Sequence, residues 1–173
     1  MIFTGLIMKH LYRIILLYKT KITAHQKFGV LFIVIFAKIF SMLSILDSEF
    51  SALNTFIQEK NPSQIFILVD ENTHQHCLPT LLGNLDTDIH FEIIEIESGE
   101  DAKNISTVVQ LWEILSDFEA DRKSLLLNLG GGVITDLGGF VASTYKRGIS
   151  FINIPTTLLA MCDASIGGKT GID

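Results

Sequence analysis

Cysteine is nearly absent from this chain of 173 residues: Cys77 and Cys162 lie far apart and outside any Cys-x-x-Cys pair. That excludes a disulfide framework, a zinc knuckle and a dithiol redox motif, and leaves two reduced thiols of the kind cytosolic proteins carry. Basic residues are scarce as well, 13 against 19 acidic for a formal charge of -6. No lysine or arginine block stands out, which removes nucleic acid from the partners. His74 and His76 stand two residues apart, a spacing that does not put two ligands on one helical face, so they are not read as a metal pair. Two phosphate-binding fingerprints are also missing. Counting from Gly130, the last glycine of Gly-x-Gly-x-x-Gly is replaced by Thr135. Gly167-Gly168-Lys169-Thr170 is not a Walker A loop, because Asp163 stands where its first glycine belongs.

The apolar residues that are present are unevenly placed. The mean hydropathy of +0.41 is high for a soluble enzyme, and much of the excess precedes Asp47. Residues 1–46 read as an apolar leader or as partial first strands. Phe28 to Leu46 just reaches the length of a membrane span, but Lys38 near its middle counts against insertion. The ordinary domain is expected over residues 47–173. The chain stops directly after a glycine- and lysine-bearing loop, so a longer protein is expected to continue beyond Asp173.

From Asp47 onward, strands and helices alternate. Ser48 is the expected N-cap of a helix with Phe50, Leu53, Phe56 and Ile57 on one stripe, ended by Asn61-Pro62. Ile65 to Val69 is a short buried strand running into Asp70-Glu71-Asn72-Thr73. Asp70 there is either a helix cap or an acceptor for a ribose hydroxyl. A first helical turn with His74 and His76 is interrupted at Pro79. Ile89 to Ile96 alternates only partly, with Glu92 and Glu95 interspersed, which suits a position near a sheet edge. Ser98 to Lys103 then leads into a helix whose expected apolar set is Ile105, Val108, Val109, Trp112, Leu115 and Phe118.

The chemistry concentrates between Leu125 and Asp173. Leu125 to Leu129 is a run that suits a strand buried on both faces, and it ends in Gly130, Gly131 and Gly132. Leu137, Phe140, Val141 and Tyr145 recur at helical spacing, and a second apolar run from Phe151 ends at Pro155. Strand, glycine turn, helix and strand make the unit that binds dinucleotides at the carboxyl edge of a parallel sheet. Backbone N–H groups around Gly131 and Gly132 would favour a pyrophosphate. Thr156 and Thr157 offer hydroxyls, Arg147 and Lys169 offer cations, and Asp163 can accept from sugar-like hydroxyls.

These blocks closely resemble 3-dehydroquinate synthase. The resemblance rests on Gly130-Gly131-Gly132-Val133-Ile134-Thr135-Asp136-Leu137, Tyr145-Lys146-Arg147-Gly148, Pro155-Thr156-Thr157-Leu158-Leu159-Ala160 and Ser165-Ile166-Gly167-Gly168-Lys169-Thr170-Gly171, in order. Val69-Asp70-Glu71-Asn72 and Gly99-Glu100-Asp101-Ala102-Lys103 extend it upstream. Two departures are small: Thr135 replaces a frequent glycine, and Cys162-Asp163-Ala164 replaces a more usual Val-Asp-Ser while keeping the aspartate.

The resemblance implies a Rossmann-like α/β fold with a mostly parallel sheet, and NAD as cofactor. Carried over residue by residue, Asp70, Asn72, Glu100 and Lys103 would bind the adenosine side of NAD. Gly131, Gly132 and Asp136, with Thr156 and Thr157, would hold its pyrophosphate region. Arg147, Asp163 and Lys169 would be the catalytic-side contacts to substrate. The implied reaction converts 3-deoxy-D-arabino-heptulosonate 7-phosphate to 3-dehydroquinate and phosphate, within the shikimate pathway. It runs by transient NAD-dependent oxidation, phosphate elimination, re-reduction, ring opening and aldol closure. The family's divalent metal, zinc or cobalt, is bound by a C-terminal helical domain, so its ligands are expected beyond residue 173 and this chain alone is expected to be inactive. A cytoplasmic homodimer is implied for the full-length enzyme. The alternatives are a related sugar-phosphate cyclase, a metal-dependent alcohol dehydrogenase and a non-catalytic NAD-binding module.

Overall fold

The computed structural model describes residues 33–36, 42–45, 49–166 and 170–173. The chain divides into two compact units, Met1–Val30 and Leu31–Asp173; only the second contains described residues. It is a six-stranded sheet with helices on both faces, the α/β class that the sequence implies.

The elements run β1 (Ile33–Phe36), β2 (Met42–Ile45), α1 (Ser51–Lys60), β3 (Ile65–Asp70), α2 (Glu71–His76), α3 (Leu78–Asn84) and β4 (Phe91–Ile96). They continue with α4 (Ile105–Asp117), β5 (Leu125–Gly130), α5 (Gly132–Thr144), β6 (Ser150–Pro155) and α6 (Leu158–Cys162). The strand order is β2-β1-β6-β5-β3-β4. β3 to β6 are mutually parallel, whereas β1 and β2 form an antiparallel hairpin added beside β6. The hairpin β1–β2 falls within residues 1–46, the segment read from sequence as an apolar leader or partial first strands. Among the described residues no helix is long and apolar enough to cross a membrane.

Alternation along each strand divides the core in two. Ile65, Ile67 and Val69 of β3 and Leu125, Leu127 and Leu129 of β5 pack against Leu53 and Ile57 of α1 and Leu78 and Leu81 of α3. Phe66, Leu68 and Leu126 point the other way, against Val108, Leu111 and Leu115 of α4 and Ile134, Leu137 and Val141 of α5. The central strands are covered on both faces, which is why they read as unbroken apolar runs. β4 is the edge strand expected from its glutamates, with Ile94 its only fully buried residue.

Three local expectations need correction. The N-cap position of α1 is Phe50, in the left-handed region, whereas the sequence pointed to Ser48, which lies outside the described residues. In α4 the inward stripe is Val108, Leu111 and Leu115, while Ile105 and Val109 are exposed. At 100° per residue Val109 stands roughly 120° around the helix from Leu115. Phe118 is also largely exposed, although its ring edge meets Phe66 at 6.5 Å between centroids.

Candidate dinucleotide site

The parallel strands all end on one edge, at Asp70, Ile96, Gly130 and Pro155. The chain leaves β3 for helices on one face and leaves the adjacent β5 for α5 on the other. A crevice opens between neighbouring strands whose connections part in this way. The glycine turn, the Ser98–Lys103 loop and the Asp70–Thr73 junction all lie at that carboxyl edge.

Gly131 is the N-cap of α5, a helix of 13 residues, and no side chain caps the turn. The first N–H groups of such a helix have no partner within it and present a positive end to a ligand. The backbone is tightly enclosed here. A Cβ on Gly131 would lie 3.3 Å from the Thr157 methyl, and one on Gly132 would lie 3.9 Å from Ala164 Cβ. Thr156 N donates to Gly130 O at 3.0 Å, tying the end of β6 to the end of β5. Thr157 caps α6 by accepting from Ala160 N at 3.2 Å. Thr135 is wholly buried and turns its hydroxyl back to the carbonyls of Gly131 and Gly132, both at 3.1 Å. A threonine is thus accommodated inside the turn without entering the crevice.

Lys103 is the electrostatic centre of the edge. Its ammonium lies 3.2 Å from Asp136 Oδ2 and 3.3 Å from Glu100 Oε1, with the side chain only 16% exposed. Burial alone would lower its pKa, but the bonds and charges of Asp136 and then Glu100 outweigh it and raise it. Asp173 N donates to Lys103 O at 3.0 Å, so the end of the chain also meets this loop.

At the neighbouring strand end, Asp70 forms a capping box with Thr73. Its Oδ1 accepts from Thr73 N at 2.8 Å and from the Thr73 hydroxyl at 3.0 Å. The contacts of the cap fall on Oδ1, so the other oxygen is not used by it. Glu71, which sequence reasoning passed over, accepts from Ser98 N at 2.7 Å. Its own amide, then the Ser98 hydroxyl, hold its carboxyl below the usual range; burial opposes them, and the Ser98 amide adds the smallest share. Asn72 is exposed in the first turn of α2. His74 pairs with Glu95 of the edge strand; among the described residues no group of three or more His, Cys, Asp or Glu is placed to hold a metal ion.

Ten of the twelve residues singled out from the sequence therefore border one sheet edge: Asp70, Asn72, Glu100, Lys103, Gly131, Gly132, Asp136, Thr156, Thr157 and Asp163. Asp163 follows α6 directly and precedes Ala164, which faces Gly132. Lys169 lies outside the described residues. Arg147 lies past the opposite end of α5, in a 3-10 turn before β6. A 13-residue helix is about 20 Å long, so within one chain Arg147 does not share a ligand with the glycine turn.

Residues 93–173 match the family model described as 3-dehydroquinate synthase N-terminal. The chain is 46% identical over 123 residues to 3-dehydroquinate synthase of Parabacteroides distasonis, covering 71% of this chain and 35% of that one. The chain is a homologue of 3-dehydroquinate synthase. The Pyrococcus abyssi 3-dehydroquinate synthase is also 46% identical, over 132 residues, 76% of this chain and 39% of that one. The chain thus spans little more than a third of the length of these 3-dehydroquinate synthases. Among solved structures, 2-epi-5-epi-valiolone synthase from Streptomyces hygroscopicus, with NAD+ and Zn2+ bound, matches at 34% identity and a TM-score of 0.60 over 67% of this chain and 33% of that one. A 2-deoxy-scyllo-inosose synthase complexed with carbaglucose-6-phosphate, NAD+ and Co2+ matches at 25% identity and a TM-score of 0.60, over 70% of this chain and 34% of that one.

Proposed function

We propose that this chain is the NAD-binding part of a 3-dehydroquinate synthase and that it binds NAD across the carboxyl edge of its sheet. One observation carries the reading: the uncapped Gly131–Gly132 helix start stands at the same sheet edge as Lys103, which is held between Asp136 of that helix and Glu100. The residues suit the cofactor. A glycine backbone that a Cβ would crowd against Thr157 allows close approach of a pyrophosphate. Asp70 and Asn72 at the end of β3, with Glu100 and Lys103, take the adenosine side. Thr156 and Thr157 border the turn from the β6 side, and Asp163 and Lys169 are assigned to the substrate; Arg147, past the far end of α5, does not join them within one chain.

When bound, NAD supplies a reversible hydride acceptor for a substrate hydroxyl. The chain's own part is to fix the dinucleotide: Gly131 and Gly132 turn amides towards the phosphates, and Lys103 adds a cation that its two carboxylates keep oriented. Asp163 accepts from a substrate hydroxyl beside Gly132. The substrate in this reading is 3-deoxy-D-arabino-heptulosonate 7-phosphate, the products 3-dehydroquinate and phosphate, and the full enzyme a cytoplasmic homodimer using zinc or cobalt. Among the described residues no group of His, Cys, Asp or Glu offers the metal's donor set. A related sugar-phosphate cyclase is the second reading, favoured by the two solved cyclases and weighed against by the higher identity to 3-dehydroquinate synthases.

Calorimetric titration of the purified chain with NAD tests the binding half of the proposal, and saturable one-to-one binding is expected. Phosphate release from the heptulosonate phosphate with NAD and zinc tests the other half. None is expected from this chain alone, and steady release would show that it carries the whole reaction.

A further inference from the structure

We propose that Glu71 is a positioning residue for the dinucleotide site: by accepting the Ser98 amide it fixes the start of the Ser98–Lys103 loop across the crevice, and so sets where Lys103 meets the ligand. The inference rests on the NAD-binding reading above and extends it to a residue to which neither the motifs nor the ion pairs assign a role.

Three features of the fold carry it. First, β3 and β4 run in parallel register to their ends, with Asp70 opposite Ile96. Past that point the ladder stops, and the 2.7 Å bond from Ser98 N to Glu71 Oε2 bridges residues 27 apart in sequence. It is an N–H donating to a carboxylate, the stronger kind of hydrogen bond. The neighbouring carboxylate, Asp70, turns instead to Thr73, which it caps through Oδ1. Second, the chain turns sharply just after the anchored amide, at Gly99 with φ of +110°. A glycine at such a turn leaves the backbone free to pivot, and a fixed Ser98 removes that freedom on its upstream side. Third, the far end of the loop is held separately. Lys103 reaches Asp136 on α5 at 3.2 Å, and its carbonyl accepts from Asp173 N. Six residues are thereby pinned at both ends, and Glu71 supplies the upstream pin.

Glu71 is exposed, so the bland alternative is a solvated acid whose bond water replaces without effect. Hydrogen exchange and NAD calorimetry on the chain and on Glu71→Ala and Glu71→Gln separate the two. In Glu71→Ala the amides of Ser98–Lys103 are expected to exchange faster while those of β5 do not change. The Kd for NAD is expected to rise about 3- to 10-fold. Glu71→Gln keeps an amide oxygen in reach of Ser98 N and is expected to restore both. Unchanged exchange at Ser98–Lys103 in Glu71→Ala would overturn the proposal, as would faster exchange with an unchanged Kd. Failure of the unaltered chain to bind NAD would instead sink the reading underneath. The two failures are distinguishable because exchange in the loop is measured without ligand.

Discussion

A methyl group added at Gly138 would lie 2.0 Å from Asn128 Oδ1, in the middle of the β5–α5 contact. Asn128 has no room to yield. It is fully buried, and its Nδ2 donates to Asn153 Oδ1 at 2.8 Å on the adjacent strand. Gly138→Ala must therefore push α5 away from the sheet, at about 1–3 kcal/mol by the usual cost of overpacking. Gly83 in α3 has nothing within 4 Å of the same added atom. Gly83→Ala should be neutral or stabilising by about 0.4–1 kcal/mol through the unfolded chain; urea denaturation of the two variants reads the contrast. Lys103 makes a different kind of prediction. Its folded pKa is raised against the opposing effect of burial, chiefly by Asp136. The stability this confers is fully present below the unfolded lysine pKa of about 10.4 and is lost as pH rises through the folded value. Lys103→Met should flatten that alkaline loss, and it should weaken NAD binding about 10- to 100-fold if the ammonium contacts the dinucleotide.

Among the elements, α2 shows two jobs meeting at one residue. Asp70 ends β3 and caps the helix through Oδ1, yet it also borders the crevice. Serine retains a capping oxygen and loses the charge, so Asp70→Ser should hold stability within about 0.5 kcal/mol. If Asp70 also accepts from a ribose hydroxyl, the same variant should bind NAD more weakly; thermal melts and calorimetry on one preparation separate the two jobs. The two readings of Asp70 left open by the sequence are thus compatible. Elements built from burial on both faces were legible in advance. Ile65–Val69 and Leu125–Leu129 announce central strands because no polar residue interrupts their packing, apart from Asn128 in β5, and the glutamates of β4 announce an edge. The face of α4 was misjudged because Ile105 and Val109 are apolar without being buried, and composition alone does not tell one side of the stripe from the other. The residues bordering the site were legible as a set of glycines, acids and hydroxyls. Glu71 was not, because its contact is made to a backbone amide 27 residues away, which leaves no local spacing to read. Arg147 was assigned to the substrate by resemblance; in this chain it follows the end of α5 away from the glycine turn.

Across the whole molecule, the sheet separates two apolar cores and collects the loops of the proposed site at one edge, so the site is assembled from segments far apart in sequence. Asp70, Lys103, Gly131 and Thr156 come together only when β3, β4, β5 and β6 are in register. The unfolded chain should then have no measurable affinity for NAD, and binding should stabilise the folded state by mass action alone. At a free NAD concentration one hundred times its Kd that amounts to about 2.7 kcal/mol. For a domain of this size each kcal/mol moves Tm by about 2–4 °C, so a rise of about 5–11 °C is expected. Adenosine alone, which lacks the pyrophosphate that the Gly131–Gly132 turn is proposed to hold, should give a much smaller shift at the same concentration. Lys103→Met, with a Kd about 10- to 100-fold higher, should lose between about half and five-sixths of the shift at that NAD concentration. A full shift in Lys103→Met would place the dinucleotide away from the Lys103–Asp136 pair. Equal shifts from NAD and adenosine would mean that the glycine turn, despite its open helix start, takes no part in holding the ligand.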